Sequence, residues 1–308
     1  MQKLAGLFLG LSGICAMTTT SSAQTNVPNA ILSADTLTKV SPHVWTISGY
    51  PNVAIVVGTA ATLVIDTGMG PTNGRVVSQA ARSLSHSGQK LFLTTTHFHP
   101  EHASGDGGFP AGTVTIRPRV QQAEVDADGA RMIDAFRKRS DSYSVLLDGV
   151  TTSKADVLFD NNYDLDLGGG VKATLLWYGP AHTEGDELVF VAPDSVLVSG
   201  DVVQNKTIPN FTFSECSPAK WLSVLDRIAP LSPRLIVPDH SPTGTTALIS
   251  AEGEFLQSLQ SRVATLKKSG MSLEDCERVV ASELTAKYAG WASLERLPAA
   301  IERAYNST

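Results

Sequence analysis

The sequence predicts an α/β fold in which sheets are covered by helices on their outer faces. Three observations carry it. Short apolar, β-branched runs recur along the chain, helical stretches alternate with them, and histidines or acids follow directly after the runs. Residues 43–48, 52–58 and 61–66 read as a meander of strands, and roughly 74–84 as a helix. Residues 90–96 (Lys-Leu-Phe-Leu-Thr-Thr-Thr) read as a buried strand, being apolar, free of helical periodicity and bounded by polar turn-formers. A helical stretch with Glu124, Ala130, Ile133 and Phe136 precedes a second αβ half, whose strands lie between Val157 and Ser199, including 171–178 and 195–199. Ser217-Pro218 caps a helix over 217–231, and 234–237 is a short strand. The rest is a helical tail: 247–268 forms one long helix ended by Gly270, and Ser272-Leu-Glu-Asp275 opens another.

Five of the seven histidines form an ordered series: His97, His99, His102, His182 and His240, with Asp201 between the last two. Each member follows an apolar run, which puts it on a loop at the C-terminal edge of a sheet. His97 and His99 leave a strand end two residues apart, so their side chains point the same way. Glu101 and His102 follow on a Pro-bent loop and face a second point nearby. Zinc takes imidazole nitrogen and carboxylate oxygen, and a catalytic site keeps one position open. Five imidazoles and two carboxylates exceed the four ligands of a closed structural ion. His43 and His86 have no ligand-like neighbours and read as ordinary surface or core residues.

The ordered motifs resemble the metallo-β-lactamase superfamily over most of the chain. They are Val64-Ile-Asp66-Thr-Gly68, His97-x-His99-x-Glu101-His102, Gly179-Pro-Ala-His182-Thr, Ser199-Gly-Asp201 and Pro238-Asp-His240. The resemblance implies a four-layer αβ/βα sandwich with metals at one edge. It implies one metal on His97, His99 and His182, a second on Glu101, His102 and His240, and Asp201 bridging both. Asp66 would orient ligands through hydrogen bonds. Asp201, Glu101 and Asp66 are thus the candidate catalytic carboxylates. The family has Asp at the position of Glu101; the added methylene moves the carboxylate by about one C–C bond, against a ligand-distance tolerance of roughly ±0.2 Å. Two Zn per chain are expected, with one Zn or one Fe as the alternative. A bridging Asp is similar to the glyoxalase II, lactonase and phosphodiesterase branches, whereas lactamases carry Cys or Ser there.

These features imply hydrolysis of an ester, lactone, thioester or amide by metal-activated hydroxide. The alternatives are a β-lactam hydrolase, a mononuclear iron sulfur dioxygenase-like enzyme, and a periplasmic metal-binding accessory protein of a redox enzyme. Tyr50, Phe98, Asn205 and Lys206 are candidate contacts to a small-molecule substrate.

Residues 1–23 have the layout of a secretory signal, with Lys3, an apolar stretch and Ser21-Ser-Ala23, so a periplasmic or secreted location is expected. Their removal takes one Lys and no acid, leaving 285 residues at formal charge −7 rather than −6. A mildly acidic balance argues against a nucleic-acid partner, which normally needs a basic face, and no run is apolar enough for a confident membrane span. Residues 24–40 read as a flexible segment, and 41–308 as a single domain with its helical tail. Cys216 and Cys276 stay open as a disulfide pair or as separate thiols, and oligomeric state is not legible.

Overall fold

The computed structural model describes residues 30–307 except 212, 214 and 215, so the expected leader lies outside the described residues. Strands β1 (Leu37–Lys39), β2 (Val44–Ile47), β3 (Val53–Val57) and β4 (Ala61–Ile65) form an antiparallel meander. After helix α1 (Gly70–Leu84), β5 (Lys90–Thr94), β6 (Val114–Pro118) and β7 (Val157–Phe159) extend the sheet in parallel, giving seven strands in chain order. The second sheet contains β8 (Asn162–Gly168), β9 (Val171–Trp177), β10 (Glu187–Ala192) and β11 (Val196–Gly200), all antiparallel, with β12 (Leu235–Pro238) parallel to β11.

Parity of side chains explains the stacking. Strand β3 is buried at all five positions. Ala54 and Val56 face the second sheet, where they meet Ala173, Leu175, Val189 and Val198. Val53, Ile55 and Val57 face outward against Val77, Ala80 and Ala81 of α1. A strand covered on both faces reads as a continuous apolar run, as this one does. On the far side α5 (Pro218–Ile228), α6 (Ala247–Lys268), α7 (Leu273–Lys287) and α8 (Leu297–Ser307) bury Trp221, Phe255, Val280 and Ile301 against Leu176, Leu188 and Leu197 of the second sheet. Each fully buried aliphatic side chain contributes about 1.5–3 kcal/mol. Helices α3 (Arg119–Arg137) and α4 (Asp141–Leu146) pack with Met69 and Phe98 near the end of the first sheet. The result is the expected α/β arrangement of four layers.

Several boundaries differ from the sequence reading. Helix α1 starts at Gly70, before the expected 74, because a Pro in the first turn lacks only an N–H the helix does not use there. Glu101 and His102 sit on a single helical turn, α2 (Pro100–Ala103), instead of a bent loop; the Ala103 N–H donates to the His99 carbonyl at 3.0 Å. The segment 24–40 is not loose where it is described: Leu32 is buried, the Ile31 and Leu32 N–H groups donate to Asn73 Oδ1 at 2.8 Å, and β1 pairs with β2. Cys216 and Cys276 are not joined by a disulfide. Among the described residues no helix is long and apolar enough to cross a membrane.

At the edge away from the strand ends that carry the histidines, one carboxylate joins the two sheets. Asp194, in the β10–β11 turn, accepts the His43 backbone N–H at 2.8 Å, pairs with His43 Nδ1 at 2.7 Å and accepts the Ser41 hydroxyl. Burial alone would raise its pKa, but the bonds from His43 and Ser41 outweigh it and hold the carboxyl below its ordinary value of 3.8. A depressed folded-state pKa contributes stability above the unfolded value and loses it as pH falls through the folded one. Asp194→Asn should therefore cost about 2 kcal/mol at neutral pH. In urea unfolding followed by circular dichroism, its deficit relative to wild type should shrink as the pH drops below about 4; a deficit independent of pH would show that the carboxylate charge is not what joins the sheets.

Candidate metal centre

All the loops that bear the histidine series start at the same edge. The turn after β4 carries Asp66, the segment after β5 carries His97, His99, Glu101 and His102, and the loops after β9, β11 and β12 carry His182, Asp201 and His240. Two close backbone approaches set this geometry. Asp66 adopts φ 71°, a left-handed conformation that Asp tolerates better than most residues, and turns its carboxylate back onto the β5 end. Gly200 has φ 56°, and a Cβ there would stand 2.8 Å from Thr96 Cβ. Only glycine lets β11 come near enough to the β5 end for Asp201 to reach the histidines.

The ring nitrogens converge. His97 Nε2 lies 3.0 Å from His99 Nδ1, which lies 3.3 Å from His182 Nε2. His102 Nε2 lies 3.1 Å from His240 Nε2 and 4.0 Å from Glu101 Oε1. Between these two groups Asp201 turns Oδ2 to His182 Nε2 at 3.5 Å and Oδ1 to His240 Nε2 at 3.4 Å. Ligand atoms of His97, His99 and His182, of His97, His102 and Asp201, and of Glu101, His102 and His240 each form a group within 4.8 Å.

These residues fit a metal. Three ring nitrogens at mutual contact cannot all be satisfied by one another's protons, whereas ligands of a tetrahedral zinc at 2.0–2.1 Å stand about 3.3 Å apart. Glu101 Oε2, on the residue grouped with His102 and His240, is buried without a hydrogen-bond partner, polarity that a bound cation would satisfy. Burial, reinforced by neighbouring imidazoles, holds His97 and His99 well below the ordinary histidine pKa, and burial lowers His240 to about 4. Neutral imidazole is the form that binds metal. Burial would raise Asp201, yet His240 and His182 facing it hold it below the ordinary range.

A buried polar layer aims the ligands. His102 Nδ1 faces two carboxylates, Asp66 Oδ2 at 3.0 Å and Asp239 Oδ2 at 3.3 Å, which leaves Nε2 for the His240 side. Burial opposes a proton on His102, but Asp66 and Asp239 prevail and raise its pKa. Asp66 also accepts the Thr96 N–H at 2.7 Å. His182 Nδ1 lies 2.7 Å from the Asn210 carbonyl, and Asp186 accepts the backbone N–H groups of Ala181, His182 and Thr183. Gln121 of α3 donates to the carbonyls of Thr95 and Gly185, tying the β5 and β9 loops together. Asn52 donates to the carbonyls of Pro238 and Ser241 on either side of His240.

Above the ligands lies a cavity of about 100 Å³ lined by Tyr50, Glu101, Met132, Phe136, Arg139, Asp201, Arg296 and neighbours. Tyr50 stacks on His240 with ring centroids 4.6 Å apart, and its hydroxyl donates to Glu101 Oε1 at 3.4 Å. The other candidate contacts lie elsewhere. Phe98 is buried beneath His99 against Phe213; Asn205 is tied to Ser241 and Pro242; Lys206 is exposed, with its carbonyl bound to Ala292. None of these three lines the cavity. Sequence reasoning missed Asp239, although it stands inside the Pro238-Asp-His240 motif, and missed Arg139 and Arg296, which no motif marks.

Two sheets flanked by helices, with histidines and acids gathered at one edge, define a metal-dependent hydrolase scaffold. The sequence pattern of the metallo-beta-lactamase superfamily matches residues 47–240, and the chain belongs to that superfamily. A comparison with curated proteins gives no match. Among solved structures, a metallo-beta-lactamase from Pontibacter korlensis is 18% identical over 73% of this chain and 99% of its own, with TM-score 0.59. The DIM-1 metallo-beta-lactamase is 15% identical over 72% and 96%, with TM-score 0.56. The stereoselective inverting sec-alkylsulfatase Pisa1 from Pseudomonas sp. is 14% identical over 88% of this chain, with TM-score 0.65. The present chain spans 50% of the length of that sulfatase. At these identities the likeness is one of fold.

Asp66→Ala should leave the fold intact and lower metal affinity by roughly 10–100-fold, since outer partners hold a ligand's tautomer and orientation. Competition with a chromogenic chelator measures this; unchanged affinity would mean that Asp239 alone suffices to hold His102.

Proposed function

We propose that the protein is a secreted, zinc-dependent hydrolase that cleaves an ester, lactone, thioester or amide. The observation behind the reading is the division of Asp201, whose two oxygens face histidines of different groups at 3.5 and 3.4 Å. A shared ligand of two cations needs that arrangement. In this reading His97, His99 and His182 hold one Zn, Glu101, His102 and His240 hold the second, and Asp201 serves both. When bound, the two cations supply Lewis acidity and lower the pKa of water toward about 7.

The chain's own residues do the rest. Asp66 and Asp239 fix the ring of His102, and the Asn210 carbonyl fixes that of His182. The Tyr50 phenol, whose pKa burial and Glu101 raise, keeps its proton and turns it to Glu101 Oε1, which holds that carboxylate in place. Met132 and Phe136 give the cavity an apolar wall that limits water. Secretion rests on the signal-like residues 1–23.

The test is metal analysis of protein purified without added metal, followed by a panel of aryl esters, lactones, thioesters, a chromogenic cephalosporin and a secondary alkyl sulfate. About two Zn per chain with turnover of an acyl substrate is expected; one Fe, or a filled site without turnover, overturns the reading. His97→Ala should abolish turnover. Glu101→Asp should keep or raise it, because the shorter side chain is the one the family uses. An inactive Glu101→Asp protein with a full metal complement would show that the second site is assigned wrongly.

A further inference from the structure

We infer that Arg139 and Arg296 form an anion-binding site at the mouth of the metal cavity, and that the substrate carries a carboxylate apart from its scissile bond. The inference rests on the hydrolase reading and adds a substrate class to it.

Both arginines line the cavity, and they come from distant parts of the chain. Arg139 follows α3, and its Cζ stands 3.4 Å from the centroid of the Phe136 ring, so stacking holds the guanidinium plane. Arg296 ends a short helical turn before α8 and lies beyond the 47–240 segment matched by the superfamily pattern. Its Nη1 donates to the Ile208 carbonyl at 3.2 Å, which anchors the group and leaves its other donors available.

Neither arginine forms an ion pair among the described residues, although Arg119, Arg131, Arg137, Arg262 and Arg278 each hold a carboxylate. The chain is acidic overall, with 30 acids against 24 Lys and Arg, so two arginines without an ion pair at one cavity are not a by-product of general basicity. The two carboxylates that line the cavity are engaged elsewhere: Asp201 faces His182 and His240, and Glu101 faces His102 and Tyr50. A planar guanidinium fork matches a planar carboxylate in two parallel bonds, and the pairing strengthens where water is sparse. The apolar wall of Met132 and Phe136 suits the short carbon chain between that carboxylate and the scissile bond. A cavity of about 100 Å³ admits only a small head of this kind; an engineered cavity of roughly 150 Å³ takes benzene.

The experiment compares hydrolysis of 4-nitrophenyl hemisuccinate with that of 4-nitrophenyl butyrate by the zinc-loaded protein. Wild type should prefer the anionic ester by about tenfold or more in kcat/KM. Arg139→Gln and Arg296→Gln should each cut that preference about tenfold, mainly through KM, with partial recovery in the Lys variants. Arg227→Gln, whose side chain stacks on Tyr178 away from the cavity, should leave the preference unchanged. Calorimetric titration of the same zinc-loaded proteins with succinate and with succinamide gives a readout independent of turnover. Succinate should bind wild type more tightly than either Gln variant, and succinamide should not distinguish them. Equal ester preference and equal succinate affinity across wild type and both Gln variants overturn the anion site. If no ester is cleaved but succinate affinity falls in the Gln variants, the hydrolase reading fails and the anion site stands.

Discussion

Crowded imidazoles are the constraint on which the rest of this structure depends. Five rings bring their nitrogens to within 3.0–3.3 Å of one another, and like charges at that range in a dry pocket would repel strongly. Burial supplies the neutrality of His97, His99 and His240, and two carboxylates on the far side of His102 absorb whatever positive charge that ring keeps. Much of the surrounding polar architecture serves this arrangement: the left-handed Asp66 turn, the bare Cα of Gly200, the Asp186 loop staple and the reach of Gln121 from α3. Apolar burial between the sheets and under the helices provides the rigid frame against which such crowding can be maintained.

The division of labour between the halves follows from topology. The first sheet delivers its ligands from one continuous stretch after β5, so their mutual positions are set by local backbone geometry and by the α2 turn. The second sheet delivers one ligand from each of three loops, so its contribution depends on packing: Cys216 Sγ donates to the His182 carbonyl, Gln204 bridges Gly200 and Asp201, and Asn52 crosses from the first sheet to the His240 loop. The α6–α8 tail covers the outer face of the second sheet and, through Arg296, also reaches the cavity.

Much of the frame was legible in the sequence because its signals are local. Apolar runs gave β3, β4, β5, β9 and β11 within a residue or two, Ser217 and Ser272 marked their helix starts by capping, and the long α6 matched its expected span. The donor residues stood out by type and spacing, and the structure brings their atoms together. What stayed hidden depends on distant contacts. Strand β1 is three residues long and forms by pairing with β2, and α2 exists because Pro100 opens a turn that its neighbours complete. Asn205 and Lys206 sit close in sequence to Asp201, yet the chain turns them away, whereas Arg139 and Arg296 are far from every motif and arrive by folding.

The Asp194 junction gives the molecule an asymmetry with a thermodynamic consequence. One margin of the sandwich is fastened by the protein's own hydrogen bonds, and at the opposite margin both halves supply side chains that could hold a metal. An ion that touched both leaves would bind the assembled sandwich and not its separated parts, so mass action would make it a second fastener. Inorganic supply and mechanical integrity are in this way joined along a single seam.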